Sequence, residues 1–243
     1  MTASELRAAN MPNESDLLQG LKPQEVALIL AAARSRRFSA KSVMTRQGEP
    51  ADHLMMLSKG RARYFYGTPA GKKLILRWIT PGQIFAGAAL VSQPSTYLVS
   101  TEAVRDSIVL VWDGPTIRAL SRRFLQVLEN VLIFALDHFS WYVTAYAALA
   151  SETAQERLAN LLAALAPSIG ETVPGGIEID VTNDELANSV NISPYTASRT
   201  ISEWQRTGAI RKHRGKILLR SPKRLFFRIP AEAYRQAVAS SRP

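Results

Sequence analysis

Apolar positions along the chain change period repeatedly, and each change marks an expected element. Leu17, Leu18, Leu21, Val26, Leu28, Ile29 and Leu30 recur at short helical spacings, so Ser15 to Arg34 read as helical, with Pro23 near a helix start. From Arg37 to Trp112 the grammar becomes short alternating segments, clearest in Arg61 to Tyr66 and Lys73 to Ile79. They are cut by turn signals at Gln47-Gly48-Glu49-Pro50, Ser58-Lys59-Gly60, Gly67 to Gly71, Pro81-Gly82 and Gln93-Pro94-Ser95. Strands so short and so regularly spaced predict an antiparallel barrel, roll or sandwich rather than a parallel sheet.

After Gly114-Pro115 the helical period returns for about thirty residues. Within it Leu125, Leu128, Leu132, Ala135, Phe139, Tyr142, Tyr146 and Leu149 alternate spacings of 3 and 4, an a/d heptad seam that asks for an identical partner helix. Val131, Ile133, Phe134, Leu136, Trp141 and Val143 lie off the seam and predict a second buried face against the chain's own β region. The competing reading is the central helix of a monomer. Val131 to Ala150 is also long enough for a membrane span, but Asp137 and His138 interrupt it.

Ser151-Glu152-Thr153 breaks the run, a domain boundary is expected near Glu152, and Gln155 to Ala166 gives a fresh amphipathic helix. Pro167 to Gly176 reads as a loop and Ile177 to Val181 as a strand. Thr182-Asn183-Asp184-Glu185 has the spacing of a capping box, in which the Thr hydroxyl and Glu carboxylate each satisfy an exposed amide. Asn191-Ile192 is a tight break; Ser193-Pro194 supplies a second cap with proline at the first helical position, and that helix ends at Gly208. Two short helices joined so closely predict a helix-turn-helix, with Trp204 and Ile201 in its core. Ala209 to Lys212 and Lys216 to Leu219 flank His213-Arg214-Gly215 as a basic hairpin, or wing.

Charge sharpens this picture. The 243 residues carry 30 Lys plus Arg against 20 Asp plus Glu, and from Pro194 to Arg228 ten basic residues face the single acid Glu203. Nearly the whole surplus of +10 sits there, as expected of a polyanion-binding surface; a solvated basic face or a tail on an anionic membrane is the alternative. Composition is that of a globular protein, and zero cysteines exclude disulfides, thiolate-bound zinc and iron–sulfur clusters. His53, His138 and His213 show no metal-ligand spacing, and no nucleophile–base pair, carboxylate pair or phosphate loop points to an enzyme. The first residues carry no basic start followed by an apolar run, so a cytoplasmic protein is expected.

The stretch from Thr153 to Arg220 resembles the winged helix-turn-helix of the catabolite activator and fumarate-nitrate regulator (CRP/FNR) family of bacterial transcription factors, through Thr182, Glu185, Ser193, Thr196, Arg199, Gly208 and Ile210. The likeness continues upstream through Gly20-Leu21, Arg37-Phe38, Arg46 to Asp52, Lys59-Gly60 and Pro81-Gly82. It implies an α+β chain: an N-terminal cyclic-nucleotide-binding-like antiparallel β-roll over residues 1–114, a long dimerisation helix over 115–151, and a winged helix-turn-helix over 152–243. The implied function is that of a homodimeric, sequence-specific regulator on double-stranded DNA. RNA polymerase and a small-molecule effector are further partners that the resemblance suggests, and no membrane is.

Within that reading Arg199 is the candidate for a bidentate contact to guanine O6 and N7, with a phosphate contact or an ion pair to Glu203 as the alternative. Ser193, Thr196 and Ser198 donate to phosphates or bases near the helix start, and Lys212, Arg214 and Lys216 meet phosphates from the wing. Tyr195 stands where the family commonly has a Glu that accepts from cytosine, so the operator departs from the familiar consensus; Pro194 also departs.

Relatives that bind cyclic AMP hold it with a Gly-Glu and an Arg-Ser. This chain reads Gly82 to Leu90 and then Ser95 to Val99 in that region, with neither the acid nor the arginine and no basic residue between Val91 and Val104, so cyclic AMP is not the expected effector. Haem through His138 competes with the plainer reading of a packed histidine. The rival function is a ligand-sensing module that regulates a partner protein through a basic docking surface.

Overall fold

The computed structural model describes residues 15–91, 93, 95–213, 215–222 and 225. The chain divides into two compact units between Tyr142 and Val143.

In the first unit the expected helix from Ser15 to Arg34 shrinks to α1 (Pro23–Ala31). Gly20 adopts φ +75°, which ends the preceding turns, and the helix starts anew where the Lys22 amide donates to the Glu25 carboxylate at 2.9 Å. Arg34 already belongs to a strand. Eight strands follow: β1 (Arg34–Phe38), β2 (Val43–Thr45), β3 (His53–Lys59), β4 (Ala62–Gly67), β5 (Lys73–Ile79), β6 (Ile84–Phe85), β7 (Ser100–Ala103) and β8 (Ser107–Asp113). They form two antiparallel sheets, β1-β8-β3-β6 and β2-β7-β4-β5, which make the expected roll.

Alternation along β3 shows how the roll is held. Met55 and Leu57 point into a cluster with Met44, Tyr64, Phe85 and Val109 from both sheets, while Leu54 and Met56 point to the other face, against Leu17, Ile29, Trp112 and Ile117. The Trp112 indole donates to the Ile29 carbonyl at 2.8 Å and so fastens α1 to β8. At Gly60, φ +101°, a Cβ would collide with Ser107 Oγ and the Asp106 carbonyl, so no side chain fits that turn.

The helical stretch after Gly114 is broken. α2 (Gly114–Arg123), capped by Asp113, stops at Phe124, whose φ −122° and ψ 89° leave the helical region; α3 runs from Leu125 to Ser151. Phe124 packs against the cluster around Leu17 and Trp112, and this burial turns the chain. The seam lies wholly within α3.

The second buried face of α3 is narrower than expected. Val127 and Asn130 are buried and Val131 and Phe134 pack against the core, whereas Ile133, Leu136 and Val143 remain about half exposed. The inward stripe recurs at 127, 130, 131 and 134, and Ile133 and Leu136 sit to one side of it. By length and composition α3 could cross a membrane, although Asn130, Asp137 and His138 interrupt it.

In the second unit α4 (Ala154–Ile169) starts with a capping box, in which Thr153 Oγ1 accepts from the Glu156 amide and the Glu156 carboxylate accepts from the Thr153 amide. The expected loop from Pro167 to Gly176 is not one. Pro167 lies inside the last turn of α4, where Ser168 Oγ donates to the Ala164 carbonyl at 3.1 Å, and β9 (Gly170–Val173) pairs with β10 (Gly176–Asp180). Then come α5 (Asn183–Ser189), α6 (Pro194–Arg206), β11 (Ile210–His213) and β12 (Lys216–Leu219), with sheet order β11-β12-β10-β9.

Candidate nucleic-acid interface

Local chemistry sets both helices of the second unit. Thr182 Oγ1 accepts from the Glu185 amide at 3.2 Å, and the Glu185 carboxylate accepts from the Thr182 amide at 2.7 Å. Asn191 takes φ 54°, the left-handed conformation asparagine tolerates, and turns the chain between α5 and α6. Ser193 Oγ then accepts from the Thr196 amide at 3.0 Å, with Pro194 at the first position of α6. Gly208, φ 72°, ends the turn after α6. Arg157 fixes the pair from α4 by donating from Nε to the Val190 carbonyl at 3.1 Å.

One face of α6 is core and the other is not. Ala197, Thr200, Ile201 and Trp204 are buried, as the sequence predicted for Ile201 and Trp204. Ser193, Tyr195, Ser198 and Arg199 are exposed on the opposite side, with Tyr195 at 75%. Thr196 is half-buried, and its hydroxyl lies 2.9 Å from Ser193 Oγ, so part of its hydrogen-bonding capacity is used inside the cap. Among the described residues no ion pair joins Arg199 to Glu203; the guanidinium stands in solvent with its planar fork available.

The wing is a hairpin with Ile210 opposite Leu219 and His213 opposite Lys216. Lys212 is exposed on β11, opposite Ile217. Lys216 is not a bare cation: it forms an ion pair with Glu178 on β10, whose hydrogen bond holds its pKa above the ordinary lysine value. Arg214 lies outside the described residues, as do Lys223, Arg224 and Arg228. Arg206, Arg211 and Arg220 are exposed cations that the sequence reading counted in its basic run without assigning a role. A surface of this sign around an exposed helix face fits a phosphate backbone flanking a groove.

The seam is exposed along α3: Leu125 is 72%, Phe139 67% and Tyr146 76% accessible, and Leu128, Leu132, Ala135 and Leu149 are also exposed. Tyr142 differs, being half-buried. His138 is half-buried too. Its ring lies 3.9 Å from that of Phe134 and edge-on to Tyr64, Nδ1 sits 3.0 Å from the Phe134 carbonyl, and burial above all lowers its pKa to about 4. No group of three or more metal-ligating side chains occurs among the described residues.

Comparison with known proteins agrees with these elements. The Crp-like helix-turn-helix domain model matches residues 156–226, and the cyclic nucleotide-binding domain model matches residues 35–124. The CRP-like cAMP-activated global transcriptional regulator of Mycobacterium tuberculosis is 21% identical over 86% of this chain and 94% of its own length. The cyclic AMP receptor protein of Thermus thermophilus is 26% identical over 85% and 93%. Among solved structures, the c-di-GMP responsive global regulator CLP of Xanthomonas campestris superposes with a TM-score of 0.72 at 18% identity, covering 82% of this chain and 99% of that one. With both domain models matched in order, on a β-roll followed by a long helix and a winged helix-turn-helix, the chain belongs to the CRP/FNR family of transcription regulators, with a DNA-binding helix-turn-helix.

Proposed function

We propose that this chain is a homodimeric, sequence-specific regulator that acts in the cytoplasm, with the two copies of α6 entering successive major grooves of a two-fold site. The observation that carries the reading is the split character of α6: a buried face of Ala197, Ile201 and Trp204 against an exposed one of Ser193, Tyr195, Ser198 and Arg199. Arg199 reads a guanine; Ser193, Thr196 and Ser198 meet phosphates or bases, and Lys212 and Arg214 contact phosphates from the wing, where Lys216 reaches one only by exchanging its ion pair with Glu178. Tyr195, a bulky ring with one hydroxyl, presents an apolar edge suited to a thymine methyl where a carboxylate would favour cytosine.

Pairing rests on the exposed seam of α3, since a monomer rarely leaves so continuous an apolar face in water. Sequence-specific binding at promoters makes RNA polymerase a natural further partner. Cyclic AMP is not the effector in this reading. Between Val91 and Val104 no cationic side chain is present to meet a cyclic phosphate, and the interior of the roll is filled by Met44, Met55, Leu57, Tyr64 and Phe85.

Selection of bound duplexes from a random pool tests the reading. An enriched motif with two-fold symmetry and half-sites about 34 Å apart is expected, unchanged by added cyclic AMP. Uniform weak retention would refute specific recognition and favour a basic surface docked on a protein; cyclic AMP-dependent enrichment would refute the effector assignment.

A further inference from the structure

Outside the filled interior of the roll, the first unit holds an open cleft of about 120 Å³ between the turn around Asp16, the strand β5 and the helix α3. Its walls are fixed before any ligand arrives. Asn130 Nδ2 on α3 donates to the carbonyls of Leu17 and Gln19 at 2.9 and 2.8 Å, and the Asp16 amide donates to the Gly82 carbonyl at 3.2 Å. The Gln83 side-chain oxygen is engaged by the Thr80 amide at 3.0 Å, which leaves its NH2 group as a donor.

The chemistry of the lining is unusual. Arg77 is half-buried there, yet among the described residues its guanidinium makes no hydrogen bond and no ion pair. Five N–H donors in a fixed plane are thus held in a partly desolvated cleft, an arrangement suited to two-point contact with a carboxylate. Opposite charge is close by: Asp16 and Asp137 line the same space, and burial raises the Asp16 pKa above its ordinary value while Arg77 opposes that rise. His138 adds an acceptor. With Nδ1 bonded to the Phe134 carbonyl, that nitrogen carries the proton, and Nε2 keeps its lone pair. Phe134 and Ile133 supply the apolar wall.

We propose that this cleft binds a small zwitterionic amino acid, its carboxylate on the Arg77 guanidinium and its ammonium between Asp16, Asp137 and the His138 ring. Two carboxylates beside one cation repel a phosphate or dicarboxylate and welcome a group that brings one negative and one positive charge. Size agrees: a cavity of about 150 Å³ accepts benzene, so about 120 Å³ suits roughly six heavy atoms and not a nucleotide. The site stands independently of DNA recognition, because every residue in it belongs to the first unit.

Calorimetric titration of the full chain, without DNA, with glycine, L-alanine and L-serine tests the proposal, with acetate, ethylamine and inorganic phosphate as probes that carry one charge sign each. Saturable binding of at least one amino acid with a dissociation constant below about 1 mM is expected, at least tenfold tighter than any single-sign probe. Arg77→Gln and Asp137→Asn should each weaken it about tenfold or more, with unchanged melting temperature, since neither side chain holds the fold. Should Arg77→Gln misfold, Arg77→Lys, which keeps the charge and loses the fork, carries the same expectation. Equal affinity of the variants, tighter binding of phosphate, or no saturable heat from any amino acid would overturn the assignment.

Discussion

Replacing Phe139 by glutamate puts the proposed pairing to a quantitative test. The side chain is 67% exposed in the single chain, so pairing has that much of the ring to cover. An aromatic side chain buries about 150–250 Å², and at about 25 cal/mol per Å² the exposed share is worth about 2.5–4 kcal/mol per copy. Two-fold symmetry doubles the effect to about 5–8 kcal/mol, or about four to six powers of ten in the dimer dissociation constant. This is an upper bound, because covering by the partner is incomplete and neighbouring Leu132, Leu136 and Tyr142 persist; like charges facing across the seam act in the same direction as the lost burial. Sedimentation or light scattering over a concentration series should find the wild-type chain paired and Phe139→Glu monomeric at micromolar concentration. Circular dichroism should be unchanged, since the ring supports nothing within its own chain. A dissociation constant shifted by less than about tenfold would refute the seam as the interface.

Other substitutions separate reading from folding. Arg199→Ala should remove about 1–3 kcal/mol of discrimination at one base pair per half-site, seen as a flattened position in a binding-site matrix; equal weakening on every sequence would make Arg199 a phosphate contact instead. Trp204 is 2% exposed, and Trp204→Ala should cost about 3–5 kcal/mol of stability in urea unfolding, whereas Tyr195→Ala, at an exposed position, should leave stability within about 0.5 kcal/mol and change base preference. The depressed His138 pKa fixes a pH trend. From its ordinary 6.5 down to about 4 the unfolded chain binds a proton that the folded chain does not, so the stability this residue supplies is present above that window and lost as pH falls through it. Asp16, raised by burial, pulls the other way at the acidic end. The difference between wild type and His138→Gln in melting temperature against pH isolates the histidine; identical curves would refute the desolvated site.

How much of this was legible in the residues depended on how far apart the interacting groups lie in sequence. The reading helices were written locally: Thr182 and Glu185, Asn191, Ser193-Pro194 and Gly208 each act within a few residues, and the structure uses each as its chemistry suggests. Thr153 and Glu156 carry the same capping spacing, and the signal was there to be used. The break at Phe124 was not visible, because the apolar period runs through it and only packing against Leu17 and Trp112 turns the chain. The strand Gly170–Val173 was hidden by its glycine and neighbouring proline; β10 supplies its hydrogen bonds. Lys216 looked like a free cation of the wing until β12 brought it beside Glu178, 38 positions away. The cleft was least legible, since Asp16, Arg77 and His138 have no pattern in common and meet only through the fold.

One helix carries two surfaces, a seam for a partner and a face toward its own roll. Leu132, Ala135 and Phe139 lie on the seam of α3, and Phe134, Asp137 and His138, interleaved with them, line the cleft. A rigid helix cannot move one set without the other, so a ligand that fits the paired geometry better than the single one shifts the pairing equilibrium. The coupling is reciprocal: whatever factor the amino acid gains in affinity when two chains pair, pairing gains from the amino acid. Sedimentation with and without saturating ligand, set beside calorimetry on wild type and on Phe139→Glu, measures both sides of that equality. Equal ligand affinity for monomer and dimer would show the cleft to be occupied without being coupled, and the regulatory signal would then have to enter elsewhere in the roll.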